Sequence, residues 1–192
     1  MTWIPVTDDM TRVLDTMGRR TSPLHAARIH DVKIKTLVRH ADARGFFTEQ
    51  LKRDDVDDDG RPFICAQPFA QMSRSVVYAR GGNPPQPIKA FHWHRKQWDY
   101  WDVVAGNARV VLVDLREDSP TAGAVQVLVA GEDSPRMIAI PPLVAHGYQC
   151  LGLRDVNLVY YVTEPYDATC PDEGRIPYDD PRIDFDWRVE NI

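Results

Sequence analysis

Cysteine is scarce in this chain. Its three cysteines, Cys65, Cys150 and Cys170, are odd in number and form no CxxC pair. That fits reduced thiols in a cytoplasmic protein better than a disulfide framework or a thiolate zinc site. Long apolar runs are missing too: nothing approaches the roughly 20 residues that span a bilayer. The opening MTWIPVTDDMTRVLDTMGRR has no apolar core and carries acids early, so it does not read as a signal peptide. Positive charge is in deficit, with 23 Lys and Arg against 28 Asp and Glu and a net charge of −5. This argues against broad binding to nucleic acid or to an anionic membrane, either of which needs a basic patch. A small anionic substrate stays open, because a few cationic side chains in a pocket suffice. Helix-periodic sequence is equally rare. Only residues 8–19 qualify, with acids at the start and arginines at the end.

What is there is β-sequence cut by turns. Strands are predicted at Val32–Val38, Phe63–Met72, Ser75–Tyr78, Ile88–His94, Tyr100–Ala105, Ala108–Leu115, Ala124–Ala130, Met137–Ile140, Gly147–Leu151 and Asn157–Val162. The acidic run Asp54–Gly60 lacks the spacing of a calcium loop and reads as a solvated loop, and Gly81–Pro87 as a turn-rich connector. With no internal repeat and no linker, the 192 residues predict a single all-β domain. Its sheets occupy 31–187, behind a short helical or extended N-terminal segment, 1–30.

Six histidines are present, and three of them, His25, His30 and His40, lie in polar N-terminal surroundings expected at the surface. The other three fall into a pattern. His92 and His94 are two residues apart in a predicted strand, so their side chains share a face. Asp99 follows five residues after His94, Gly106 seven residues later, and Ile138-Ala-Ile-Pro-Pro-Leu-Val-Ala-His146-Gly147 supplies a third histidine at a strand end. This spacing resembles the two-part motif of cupins, which are double-sheet jelly-roll barrels. Asp99 stands for the usual Glu of that motif and Leu143 for a glycine. In metal-binding cupins the side chains matching His92, His94, Asp99 and His146 converge on one divalent ion. Three imidazoles and a carboxylate suit Fe, Ni, Zn, Mn or Cu. A metal-free pocket built from the same inward positions is the alternative.

Further segments resemble one family in particular, the dTDP-4-dehydrorhamnose 3,5-epimerases. Asp42-Ala-Arg44-Gly45-Phe46-Phe47-Thr48-Glu49 is similar to its D-x-R-G-x-F-x-E segment, and Val113-Asp114-Leu115-Arg116 to the stretch after its central strand. Ile140-Pro-Pro-x-x-Ala-His146-Gly147 is similar to its I-P-P-G-x-A-H-G, and Tyr160 and Tyr166 keep the spacing of its two active-site tyrosines. Asp179-Asp180-Pro181, Ile183 and Trp187 match its closing segment. The resemblance implies a homodimer that needs no cofactor and acts on a nucleotide-linked 4-keto-6-deoxy sugar. In it His92 is the general base and Tyr166 the proton donor on the other face of the ring. Arg44 meets the diphosphate, and Phe47 and Glu49 hold the base across a dimer. His146 contacts the sugar, near Tyr160.

Two departures stand out against that family. Asp99 occupies the position of its lysine, and the C-terminal extension that carries the acid paired with the catalytic histidine has no counterpart here. Two repairs are open. In one, a metal on His92, His94, Asp99 and His146 restores positive charge. In the other, Asp99 orients His92, and Lys89, Arg95 or Lys96 supplies the charge. Trp93 is expected on the face away from the histidines, and Trp98 or Trp101 could stack on a ring. A metal-dependent cupin of other chemistry and a non-catalytic nucleotide-sugar binder are the competing readings.

Overall fold

A computed structural model describes residues 3–18, 28–80 and 86–188. Its helix, α1 (Asp8–Met17), starts where Thr7 Oγ1 accepts the backbone N–H of Met10, with Asp8 and Asp9 in the first turn. Both features satisfy the positive N-terminal end of a helix. Met10, Val13, Leu14 and Met17 recur at three- and four-residue spacing and are all buried. The helix stops at Met17 with Gly18 as its cap; Arg19, where the sequence put its end, lies outside the described residues.

Twelve strands follow among the described residues. They are β1 (Lys33–Thr36), β2 (His40–Asp42), β3 (Gly45–Phe47), β4 (Gln71–Val77), β5 (Ile88–Trp93), β6 (Asp99–Ala105), β7 (Asn107–Asp114), β8 (Val125–Gly131), β9 (Arg136–Ile140), β10 (Val144–Leu151), β11 (Val156–Val162) and β12 (Gly174–Arg175). Ten of them form two five-stranded sheets, ordered β1-β9-β6-β11-β4 and β12-β5-β10-β7-β8, with antiparallel pairing throughout. The result is the double-sheet jelly roll that the histidine spacing implied.

The apolar run Arg109–Leu115 shows why the sheets sit where they do. Val110 and Leu112 point between the sheets and join Ile138, Val144 and Leu158. Val111 and Val113 point the other way and pack with Leu14, Phe91, Trp93 and Trp187 beneath α1. Both faces of this strand are covered, so apolar residues occupy both parities. Fully burying each such Val or Leu contributes about 1.5–3 kcal/mol.

Three expectations need correcting. Phe63–Met72 is not a strand: Phe63 is a fully buried plug that meets Tyr100 edge-on on the outer face of the first sheet, and β4 starts only at Gln71. The hairpin β2–β3 went unpredicted because every residue in it is exposed and no alternation marks it. The acidic loop is not wholly solvated. Asp57 is buried and accepts the backbone N–H groups of Asp59 and Arg61 and the Arg61 guanidinium. His30 and His40 are exposed, while His25 and residues 81–85 of the connector lie outside the described residues.

Candidate active site

The site forms where β5 and β10 pair, with His92 directly opposite His146. Alternation along β5 sends Phe91 and Trp93 into the core under α1, so His92 and His94 face the other way, into the space between the sheets. The close approach of β5 and β10 needs Gly147, since a Cβ there would lie 2.2 Å from Ala90 Cβ. Leu143 turns the chain into β10 at φ 61°, which accounts for glycine at this place in the cupin motif. Its N–H donates to the His94 carbonyl at 2.8 Å and ties the turn to the histidine strand. A cavity of about 810 Å³, open mouth included, lies in front of these residues.

On one side of the cavity His92 Nδ1 meets Glu173 Oε1 at 2.6 Å. Arg175 Nε donates to the same oxygen at 3.1 Å. Burial pushes the Glu173 carboxyl up, but the His92 hydrogen bond and Arg175 outweigh it, so the group stays below the usual glutamate range. With Nδ1–H given to Glu173, the Nε2 lone pair of His92 is the one left for a substrate proton. The acid beside His92 is therefore present, and it is Glu173 rather than Asp99. The sequence reading failed to find it because it lies just before the short strand β12, which pairs Gly174 with Trp93. Gly174 is required there, as a Cβ would fall 2.1 Å from the Trp93 ring.

On the floor of the cavity Asp99 is 2% exposed and His146 is 4% exposed. Asp99 Oδ2 lies 3.2 Å from His146 Nε2 and 3.7 Å from His94 Nε2. Gln97 Nε2 donates to Oδ1 at 2.5 Å, and Trp101 Nε1 to Oδ2 at 3.3 Å. Burial by itself would raise the Asp99 carboxyl, but His94, His146 and the Gln97 amide overrule it and hold it at about 2. His146 moves down from the usual histidine value, because burial outweighs the attraction of Asp99. The structure thus brings together His94, Asp99 and His146, while His92 turns its Nδ1 to Glu173. Trp101 is a buried wall standing edge-on to His146, not a stacking platform, and Trp98 is not among the cavity's residues.

Other expected residues separate into two groups. Lys89, Tyr160 and Tyr166 line the cavity with His92 and His146. Lys89 Nζ donates to Ser75 Oγ and the Val76 carbonyl, and burial lowers it from the usual lysine value. Tyr160 is raised by burial, and Tyr166 sits at the rim, 48% exposed. Arg44, Phe47 and Glu49 are not part of this cavity. They lie on or just after the exposed β2–β3 hairpin, where Arg44 pairs with Asp42, Phe47 stacks on His40 and Glu49 pairs with Lys52. The sequence reading missed Asp172 as well as Glu173. The Asp172 carboxylate accepts the backbone N–H groups of Arg95, Lys96 and Gln97, and its carbonyl accepts His94 Nδ1–H.

Comparison with known proteins agrees with this geometry. The family model for dTDP-4-dehydrorhamnose 3,5-epimerase matches residues 26–192. The chain is 46% identical to the spore coat polysaccharide biosynthesis protein SpsL of Bacillus subtilis, over 84% of this chain and 98% of that one. It is 37% identical to the probable low-salt glycan biosynthesis epimerase Agl13 of Haloferax volcanii, over 84% of this chain and 96% of its relative. Among solved structures it is similar to the epimerase of Legionella pneumophila in complex with dTDP-4-keto-L-rhamnose. That match has a TM-score of 0.71 and 26% identity, over 86% of this chain and 83% of that one. A cavity that pairs a histidine with a carboxylate, a match along almost the whole chain and relatives of this likeness together place it: the chain is an isomerase-type enzyme of the dTDP-4-dehydrorhamnose 3,5-epimerase family.

Proposed function

We propose that this enzyme epimerises a nucleotide-linked 4-keto-6-deoxy sugar at a carbon next to the ketone. The observation that carries the reading is the His92–Glu173 pair at 2.6 Å on the wall of a cavity that Tyr166 also lines. Protons on C3 and C5 are acidic because both carbons flank the C4 ketone. His92 Nε2 removes one, Glu173 stabilises the imidazolium that forms, and Tyr166 returns a proton to the other face of the resulting enolate. No redox or group-carrying cofactor enters these steps. The task left over is positive charge at the ketone oxygen.

Lys89 suits the diphosphate, since two of its three N–H donors are engaged and one is left over. Arg44, Phe47 and Glu49 suit the nucleotide in a homodimer, where each hairpin reaches the partner's cavity. The 63% exposure of Phe47 supports that reading. The three cysteines are free thiols, which fits a cytoplasmic location, and among the described residues no helix is long and apolar enough to cross a membrane.

Incubation with dTDP-4-keto-6-deoxyglucose in D2O, followed by proton NMR, tests the proposal. The expected result is loss of the C3 signal, the C5 signal or both, with the epimer appearing. Binding of dTDP without exchange at either carbon would overturn it.

A further inference from the structure

On the cavity floor, neutral imidazoles cannot satisfy every contact they make. His94 turns Nδ1 to the Asp172 carbonyl and Nε2 toward Asp99 Oδ2 at 3.7 Å. His146 turns Nδ1 to the Val144 carbonyl at 3.0 Å and Nε2 to the same Oδ2 at 3.2 Å. All four ring nitrogens therefore face oxygen atoms, and a neutral imidazole has one N–H to give. A carbonyl can only accept, so each N–H belongs on Nδ1. Both Nε2 lone pairs then converge on a carboxylate that is itself buried. Protonating both rings would satisfy these contacts, but would set two stacked imidazoliums, 5.4 Å apart, against a single carboxylate. A metal cation would satisfy both.

From this arrangement we infer that His94, Asp99 and His146 form a binding site for one divalent first-row transition ion, and that His92 is not a ligand. The three candidate ligand atoms lie within 4.8 Å of one another. Ligands about 2.1 Å from a tetrahedral ion sit about 3.4 Å apart, and the two separations to Oδ2, 3.2 and 3.7 Å, bracket that spacing. A backbone carbonyl behind Nδ1 is the usual way a protein orients a metal-binding histidine, and both rings have one. Gln97 and Trp101 orient the carboxylate in the same manner. Two imidazoles and a carboxylate leave coordination positions open, and the ligands line the cavity.

The chemical role rests on the epimerase reading: the ion would draw charge from the C4 oxygen as the enolate forms, at the end of the site where Asp99 replaces a cation. Binding itself rests on geometry alone and is measured without substrate. Untagged, chelator-treated full-length protein is titrated with Zn2+ by calorimetry and with Co2+ by visible absorption. One ion per chain is expected, with d–d bands of low-coordinate Co2+. Asp99→Asn and His94→Gln should each weaken binding at least about 100-fold, while His92→Asn stays within a few-fold of wild type.

Fewer than about 0.1 ion per folded wild-type chain at excess metal would overturn the inference, as would Asp99→Asn and His94→Gln binding as well as wild type. The wild-type titration decides alone if a variant fails to fold. Deuterium exchange with no ion bound would sink the metal site and leave the proton-transfer reading standing. One bound ion without exchange would do the reverse.

Discussion

His92, in β5, and His94, one residue past its end, face the same cavity, and their surroundings give them opposite employment. His92 has a carboxylate on Nδ1 and is one-third exposed, so its other nitrogen can take a proton and the charge that follows is met by Glu173. His94 has a backbone carbonyl on Nδ1, lies 11% exposed and aims its other nitrogen at Asp99. A carbonyl fixes a tautomer without stabilising an imidazolium as a carboxylate does. The partner of the remote ring nitrogen, more than the histidine's place in a motif, separates a proton carrier from a fixed ligand. One short segment sets both: the Asp172 carbonyl holds His94, the Glu173 carboxylate holds His92, and Gly174 seats them against Trp93.

The contrast can be broken from either side. The largest effect is expected for His92→Asn, which should lower kcat/KM by about 10³–10⁴ in a steady-state assay, with the fold intact by circular dichroism. Tyr166→Phe should cut epimer formation by about 100-fold while solvent deuterium still enters recovered substrate, because abstraction and return are then uncoupled. Glu173→Gln should cost about 10–100-fold in kcat and change acid stability in a definite direction. The Glu173 carboxyl lies below its ordinary 4.5 in the folded protein. The stability it lends is therefore complete above that value and is lost as pH falls through the lower folded one. Melting curves of wild type and Glu173→Gln should converge on acidification through that window.

Gly174→Ala acts on the segment that holds both histidines. The added methyl meets the Trp93 ring, so stability should fall by about 1–3 kcal/mol in urea titration, and kcat by about tenfold as Glu173 moves off His92. The smallest effect on the fold is expected at the hairpin. Arg44→Ala removes only a surface pair with Asp42 and should leave the melting temperature unchanged, yet raise KM about tenfold if the hairpin reaches a partner's nucleotide.

Much of this was legible in sequence where one face of a strand is buried and the other differs. The ladder from Ile88 to Val162, the turn of His92 and His94 into the cavity and the turn of Trp93 to the opposite face all follow from alternation. Phe63 misled because a buried aromatic in an irregular segment looks like a strand residue. The hairpin stayed hidden because neither of its faces is covered. Glu173 was out of reach for a different reason. It stands 81 positions after His92, just before a strand of two residues, and no local pattern signals a pairing made by one glycine against a distant tryptophan. Asp99 was found by spacing, but spacing could not say which histidines it faces.

The most direct test of His92 as the proton carrier is the initial rate of solvent-deuterium entry next to the ketone in His92→Asn, with dTDP affinity and bound metal measured on the same sample. A rate about 10³-fold or more below wild type is expected, with affinity and metal content unchanged. Exchange within tenfold of wild type would contradict it and move the proton chemistry to the cluster around Asp99.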